Sequence, residues 1–96
     1  MILKDKKVKK AVALGYDPKK VAPEVIAKAF GEQVELLLTR ARELDITIRE
    51  DKVLSEALSK IPLGTPIPED FYRVVASLYA FLQNQEAGVH HENAFN

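Results

Sequence analysis

Residues 11–30 read AVALGYDPKKVAPEVIAKAF, and this stretch decides the fold. It begins with the apolar run Ala11–Tyr16, whose length is typical of a buried strand rather than of a helix. Asp17-Pro18 is a turn signal, and Pro23 disfavours helical backbone at the residue before it. The segment after Pro23 is therefore predicted to be a second strand, although its alanines and glutamate are also good helix formers.

An amphipathic helix is predicted next along the chain. Gly31 separates it from the second strand, and five apolar residues then recur on one helical face: Val34, Leu37, Leu38, Ala41 and Leu44. Ile46-Thr47-Ile48 is β-branched throughout and predicts a third strand. Asp51 suits the N-cap of a short helix that Pro62 would end, and the buried face of that helix would comprise Leu54, Ala57, Leu58 and Ile61.

A last helix is predicted after the loop 62–67. Pro68 suits its first turn, where the missing N–H of proline costs nothing, and its apolar face would comprise Phe71, Val74, Val75, Leu78, Tyr79 and Leu82. Gly88 would end it. The order strand–strand–helix–strand–helix–helix predicts an α/β fold, in which a small sheet of three to four strands is surrounded by helices.

Composition limits the chain to one small domain with an uneven charge. The chain has 96 residues, no cysteine and a net charge of zero, so disulfides and thiolate metal sites are excluded. Residues 1–20 hold seven lysines against two aspartates, which suggests an acidic partner for this end. No apolar run reaches the ~18 residues of a membrane helix, so no membrane span is expected and the protein is expected to remain in the cytoplasm.

No catalytic constellation, metal site or cofactor motif is predicted. The histidines are His90 and His91, which lie in a tail that we expect to be disordered and would form a weak metal site there. The glycines are isolated, so no phosphate-binding loop is present. The lysines lack interleaved aromatic residues and arginines, so a specific nucleic-acid site is not indicated. Weak, salt-sensitive binding of polyanions remains an alternative.

The order and spacing of several segments resemble the cytoplasmic C-terminal domain of the FlhB/YscU (FlhB/HrpN/YscU/SpaS) family, the export-switch proteins of flagellar and virulence type III secretion. The resemblance runs from about Lys9 to Gln85. It rests on AVALGYDP (11–18), APEVIAK (22–28), ARE (41–43), ITIRE (46–50), IPEDFY (67–72) and VA (75–76). The resemblance predicts that the chain divides into a basic N-terminal extension (1–7), the family-like domain (8–87) and a disordered tail (88–96).

The resemblance implies a self-cleavage motif that this chain does not have. Family members cut themselves at Asn-Pro-Thr-His, where the Asn side chain attacks its own carbonyl, and cleavage helps to switch export from early to late substrates. The matching positions here are Lys6, Lys7, Val8 and Lys9, and a lysine has no carboxamide to cyclise. We therefore expect a single uncut chain. Glu56 is a second departure, because the family often has an arginine there.

The family's first strand is expected to be missing or reduced to Met1-Ile2-Leu3. The sheet edge beside Ala11–Tyr16 would then be open to another strand. The hypothesis that follows is strand donation by a full-length FlhB-type paralogue.

By resemblance, the chain is a stand-alone, non-enzymatic interaction module of the flagellar or type III protein export apparatus. Its expected partners are protein components of the export gate, among them such a paralogue. It would be cytoplasmic, or peripheral at the inner-membrane export apparatus. The residues predicted to bind partners are Lys6, Lys7, Val8, Lys9, Lys10, Tyr16 and Asp17.

Overall fold

A computed structural model describes residues 1–7 and 9–81. Within them, four strands form one sheet: β1 (Ile2–Lys4), β2 (Lys10–Gly15), β3 (Glu24–Phe30) and β4 (Ile48–Glu50). The helices are α1 (Gln33–Glu43), α2 (Lys52–Leu58) and α3, which includes residues 72–81 and follows a 3-10 turn at Glu69–Phe71. The predicted α/β class and helix-covered sheet are confirmed.

The first strand is present, which corrects the expectation of an open edge beside Ala11–Tyr16. The sheet order is β3-β2-β1-β4, so β2 lies between two neighbours. β1 runs antiparallel to β2, with Leu3 opposite Val12, and parallel to β4. The hypothesis that a paralogue donates a strand beside β2 is therefore wrong, because residues 2–4 of this chain already occupy that position.

The two faces of the sheet carry different cores because side chains alternate along each strand. One face joins Leu3, Val12, Leu14 and Val25 to α2, α3 and the segment between them. The other face is small and alanine-rich, and packs under α1; its buried residues are Ile2, Ala11, Ala13, Ala29, Val34, Leu38 and Ala41. The molecule is thus a three-layer structure with the sheet in the middle.

The amphipathic stripe of α1 is confirmed in part. Val34, Leu38 and Ala41 are buried, Leu37 is half-buried and Leu44 is exposed. Leu44 is the C-cap residue, just beyond the last turn of the helix. The stripe is therefore narrower than its five apolar residues suggest.

The third predicted strand begins two residues later than expected, as β4 at Ile48. The backbone N–H of Ile46 donates to the Ala41 carbonyl at 2.8 Å, and Asp45 adopts a positive φ of 56°. Both features terminate α1 and keep residues 45–47 out of the strand. The Ile2 N–H donates to the Thr47 carbonyl at 2.8 Å, and the β1–β4 ladder begins with this hydrogen bond.

The helix signals at Asp51 and Pro68 are confirmed. Asp51 Oδ1 accepts from the Leu54 N–H at 2.9 Å, and this bond caps α2. Pro68 precedes the 3-10 turn that leads into α3. The predictions for Leu82, Gly88, the tail 88–96 and its histidines lie outside the described residues. No helix in the part of the chain that is described has both the length and the apolar character to cross a membrane.

Candidate interaction site

The hairpin between β1 and β2 carries most of the residues predicted to bind partners. Asp5 Oδ1 accepts hydrogen bonds from the backbone N–H groups of Lys9 and Lys10, at 2.7 and 3.1 Å. The Asp5 N–H donates to the Lys10 carbonyl at 3.2 Å, and Lys6 and Lys7 form the exposed turn. The side chain of one aspartate therefore holds the loop closed, as short polar side chains commonly do in turns. Val8 lies outside the described residues.

The Asp5 carboxyl is stabilised in its charged form. Burial acts to raise its pKa, but the hydrogen bonds from the Lys9 and Lys10 N–H groups, with the charge of Lys10, outweigh burial and lower the pKa below its ordinary value of 3.8. The charged carboxylate thus stabilises the loop through its two hydrogen bonds to the backbone. This is a structural role rather than a catalytic one.

The lysines of the hairpin divide into paired and unpaired groups. Lys4 Nζ lies 3.4 Å from Glu50 Oε1, and Lys10 Nζ lies 3.7 Å from Glu56 Oε1. Glu56, the acid that departs from the family pattern, therefore compensates a lysine of the hairpin. Three exposed lysines form no ion pair with any described residue, and we call them the lysine tip: Lys6, Lys7 and Lys9.

Tyr16 and Asp17 lie at the opposite end of β2. Asp17 accepts from the N–H groups of Lys19 and Lys20, both at 2.9 Å, and so shapes the turn into β3. The six residues of β2 separate this end from the lysine tip by about 20 Å, at about 3.4 Å per residue. The predicted site residues therefore fall on two separate surfaces rather than on one.

An apolar groove surrounds Tyr16. It is lined by the turn before β3 and by one face of α3, encloses about 410 Å³, and comprises Tyr16, Val21, Ala22, Pro23, Tyr72, Val75, Ala76, Tyr79 and Ala80. We call it the tyrosine groove. The rings of Tyr16 and Tyr79 pack with centroids 5.3 Å apart, within the range of favourable aromatic pairs. Val21 stands at the rim, 90% exposed.

Tyr79 carries an unmet hydrogen-bonding group beside this groove. Its hydroxyl oxygen is buried and has no partner among the described residues. Burial raises the pKa of Tyr79 above 10.0, and the neighbouring Tyr16 raises it further. The hydroxyl is therefore neutral at physiological pH and available as a donor. A buried donor without a hydrogen-bond partner costs free energy.

Of the residues that line the groove, Tyr16 is the one that the sequence indicates as partner-binding. In the sequence, Ala22-Pro23 indicates the start of a strand, and Tyr79 belongs to the apolar face predicted for the last helix. Tyr72 and Tyr79 are seven residues apart, so they share a helical face, and that spacing was the available signal. Nothing in the sequence could show that this face meets the turn after β2.

The described residues offer no catalytic or metal-binding arrangement to set beside the groove. Among residues 1–7 and 9–81, no group of three or more potential ligands could hold a metal ion. The features that stand out in this part of the chain are an apolar groove, the Tyr79 hydroxyl, which has no partner among the described residues, and a basic tip.

Comparison with known proteins places the chain in a family. Residues 8–82 match the model of the FlhB HrpN YscU SpaS family. The chain is 34% identical over 83 residues to the YlqH protein of Bacillus subtilis, with 85% of this chain and 89% of YlqH covered. The chain belongs to the FlhB HrpN YscU SpaS family, and it is similar in extent to the short protein YlqH.

Larger family members match through one domain. FlhB of Bacillus subtilis is 29% identical over 82 residues, which are 83% of this chain but 23% of FlhB. The cytoplasmic domain of FlhB from Shewanella putrefaciens superposes with a TM-score of 0.75 and 32% identity, covering 83% of this chain and 68% of that domain. A variant of the EscU C-terminal domain gives 0.77 and 30%, covering 83% and 74%. The chain shares its fold with the FlhB cytoplasmic domain and with the EscU C-terminal domain.

Proposed function

We propose that this protein is a non-enzymatic interaction module of the flagellar or type III export apparatus, and that the tyrosine groove is its main docking surface. The proposal deepens the established kinship with the cytoplasmic domain of FlhB. The partners would be protein components of the export gate, among them a full-length FlhB-type paralogue. The module would act in the cytoplasm, at the inner face of the membrane that holds the apparatus.

The observation that carries this proposal is the composition of the groove. Three tyrosines and small apolar residues line about 410 Å³, and tyrosine is enriched where protein partners bind. The hydroxyl of Tyr79 has no partner among the described residues, and it would donate to a backbone carbonyl of an incoming segment that reaches it. An apolar segment of a partner protein would thus meet both requirements of the groove.

Site-specific photo-crosslinking tests the proposal. A photoreactive amino acid would replace Val21, at the groove rim, in a flagellated bacterial host. The matched control is Leu36, which is 73% exposed on α1, the helix that covers the other face of the sheet. We expect export-gate proteins to be crosslinked at position 21 and not at position 36. Equal yields at the two positions, or products without export-gate proteins, would contradict the proposal.

The lysine tip favours a second candidate function, binding of a polyanion. Lys6, Lys7 and Lys9 are exposed and lack an ion pair within the described part of the chain. Binding of this kind weakens steeply as salt rises, whereas apolar docking in the groove does not. Retention on heparin at low and high salt, with and without replacement of these three lysines by glutamine, separates the two functions.

A further inference from the structure

The outer edge of β3 is paired along only part of its length. Near its start, the Gly64 N–H donates to the Val25 carbonyl at 2.7 Å, and the Val25 N–H donates to the Thr65 carbonyl at 3.0 Å. Glu24 and Pro66 form an antiparallel bridge. The loop 64–67 therefore acts as a short piece of a fifth strand, and this piece ends beside Val25.

The remainder of this edge exposes backbone groups. The Gly31 N–H donates to the Lys9 carbonyl across the β2–β3 hairpin, and antiparallel pairs alternate between bonded and non-bonded positions. With Phe30 opposite Lys10 and Lys28 opposite Val12, the N–H and C=O groups of Phe30 and Lys28 point away from β2. No described residue outside the sheet bonds to them.

The side chains of Lys28 and Phe30 define the chemistry of this edge. Lys28 shares a sheet face with its register partner Val12, which is buried against α2 and α3. It is half-buried and forms no ion pair within the described residues. Phe30 lies on the same face and is 47% exposed. The edge thus presents one apolar ring, one cation and two backbone positions, and within residues 1–7 and 9–81 neither the cation nor these backbone positions have a partner outside the sheet.

We propose that the edge of β3 at Lys28–Phe30 binds an extended, acidic segment of a partner protein as an added antiparallel strand. An acidic residue would face Lys28, and an apolar residue two positions earlier in the incoming strand would face Phe30, because antiparallel strands run in opposite directions. Main-chain hydrogen bonds would supply affinity and these two side chains the selectivity. This surface is independent of the tyrosine groove.

A second copy of the chain is the wrong partner for this edge. In an antiparallel β3–β3 pair, the two Lys28 side chains would lie directly opposite or diagonally across on one face. Like charges so placed destabilise strand pairs, and lysine on an edge strand commonly blocks self-association. An acidic partner converts the same lysine from a repulsive group into an attractive one.

Amide hydrogen exchange with a synthetic peptide tests the proposal. The probe is acetyl-Ser-Val-Thr-Glu-Thr-Ser-amide, and the matched control has Lys in place of Glu. When the free concentration of the probe is about four times its Kd, about one fifth of the protein has an unoccupied edge. Exchange of the Lys28 and Phe30 amides should then slow about fivefold, because these amides exchange only while the edge is unoccupied. The control peptide should leave exchange unchanged. The charge-swapped protein K28E should reverse this preference.

Several outcomes would overturn the proposal. These are equal effects of the two peptides, no effect of either, and protection of both amides in the free protein. Protection that grows with protein concentration would instead reveal self-pairing. A probe methylated at its backbone nitrogens should lose the effect, and its retention would show that binding does not involve strand addition. Peptide-induced protection should persist in V21D, because that substitution alters the tyrosine groove and leaves β3 intact.

Discussion

Leu38 and Leu36 lie on the same helix, but their environments are opposite. Leu38 is 1% exposed and packs against a cluster of alanines, whose short side chains cannot fill a cavity. Leu38→Ala should cost about 2–5 kcal/mol and lower the Tm by at least about 8 °C, since each kcal/mol shifts Tm by about 4–8 °C at this size. Leu36→Ala is the control and should leave the Tm nearly unchanged. Equal melting curves would place the apolar stripe of α1 in solvent.

Asp5 should make the hairpin sensitive to acid. Its pKa lies below the ordinary 3.8 in the folded state, so its stabilising contribution is complete above about pH 3.9 and is lost as the pH falls through the folded-state pKa. NMR titration of the Lys9 amide should show a midpoint below 3.8. The midpoint should vanish in Asp5→Asn. A midpoint above 3.8 would mean that the two hydrogen bonds do not favour the charged form.

Lys6-Lys7 stands where the family motif has Asn-Pro, so the backbone should remain intact between these residues. Intact mass after long incubation at neutral pH should equal that of the whole chain. A variant that carries Asn, Pro, Thr and His at positions 6 to 9 provides a positive control for the chemistry. Two fragments with masses matching a break between residues 6 and 7 in the unmodified protein would refute the prediction.

Among the helices and strands, those whose position depends on nearby residues could be predicted from the sequence. The caps at Asp51 and Pro68, the period of α1 and the strands at 11–16 and 24–30 follow from side-chain spacing and backbone restriction. The sequence leaves two alternatives for β1, missing or reduced to Met1-Ile2-Leu3, because three residues carry too little pattern to identify a strand and its place depends on partners remote in sequence. The structure shows a short strand at Ile2–Lys4. The start of β4 was misjudged because Ile46 and Thr47 favour a strand by composition, yet their backbone groups terminate α1 and begin the ladder with β1.

The candidate site was predictable only where one residue carried the signal. Tyr16 is predicted to bind partners because it ends the strand that follows the position of the family's cleavage motif. The groove, by contrast, needs α3 to meet that turn, and sequence spacing contains no information about this contact. The lysine tip and Tyr16 were grouped because they flank one strand, but a strand extends its two ends far apart.

β1 should be indispensable to the sheet. Ile2 and Leu3 are buried in the two opposite cores, so replacing both with serine removes apolar contacts from each face and introduces buried hydroxyls. We expect the cooperative thermal transition seen by circular dichroism to be lost or shifted far down in temperature. Serine at Lys6 and Lys7 is the matched control, and exposed substitutions of this kind usually change stability by less than about 0.5 kcal/mol. Similar melting curves for the two variants would contradict the role given to β1.

At the scale of the whole molecule, the two cores share one sheet and should unfold together. The three tyrosines all line the groove on one side, so tyrosine fluorescence reports that side alone, whereas circular dichroism reports the entire backbone. The two signals should give coincident transitions, as expected for a two-state domain of this size. In Leu38→Ala, whose substitution lies on the other side, both should move together. Separate transitions would show that the faces unfold independently.

The position of β1 in the middle of the sheet also determines which strand pairs open most readily in the folded state. Residues 5–9 tether β1 to β2, so this pair can re-close after opening as quickly as a hairpin forms, in about 1–10 μs. β4 is joined to the sheet through β1 alone, by three register pairs, and residues 5–47 separate the two strands along the chain. Closing the longer loop between β1 and β4 costs more conformational entropy than closing the short β1–β2 loop. Local opening of the sheet should therefore begin with separation of β4 from β1. The β1–β2 hairpin should re-form quickly in the same register.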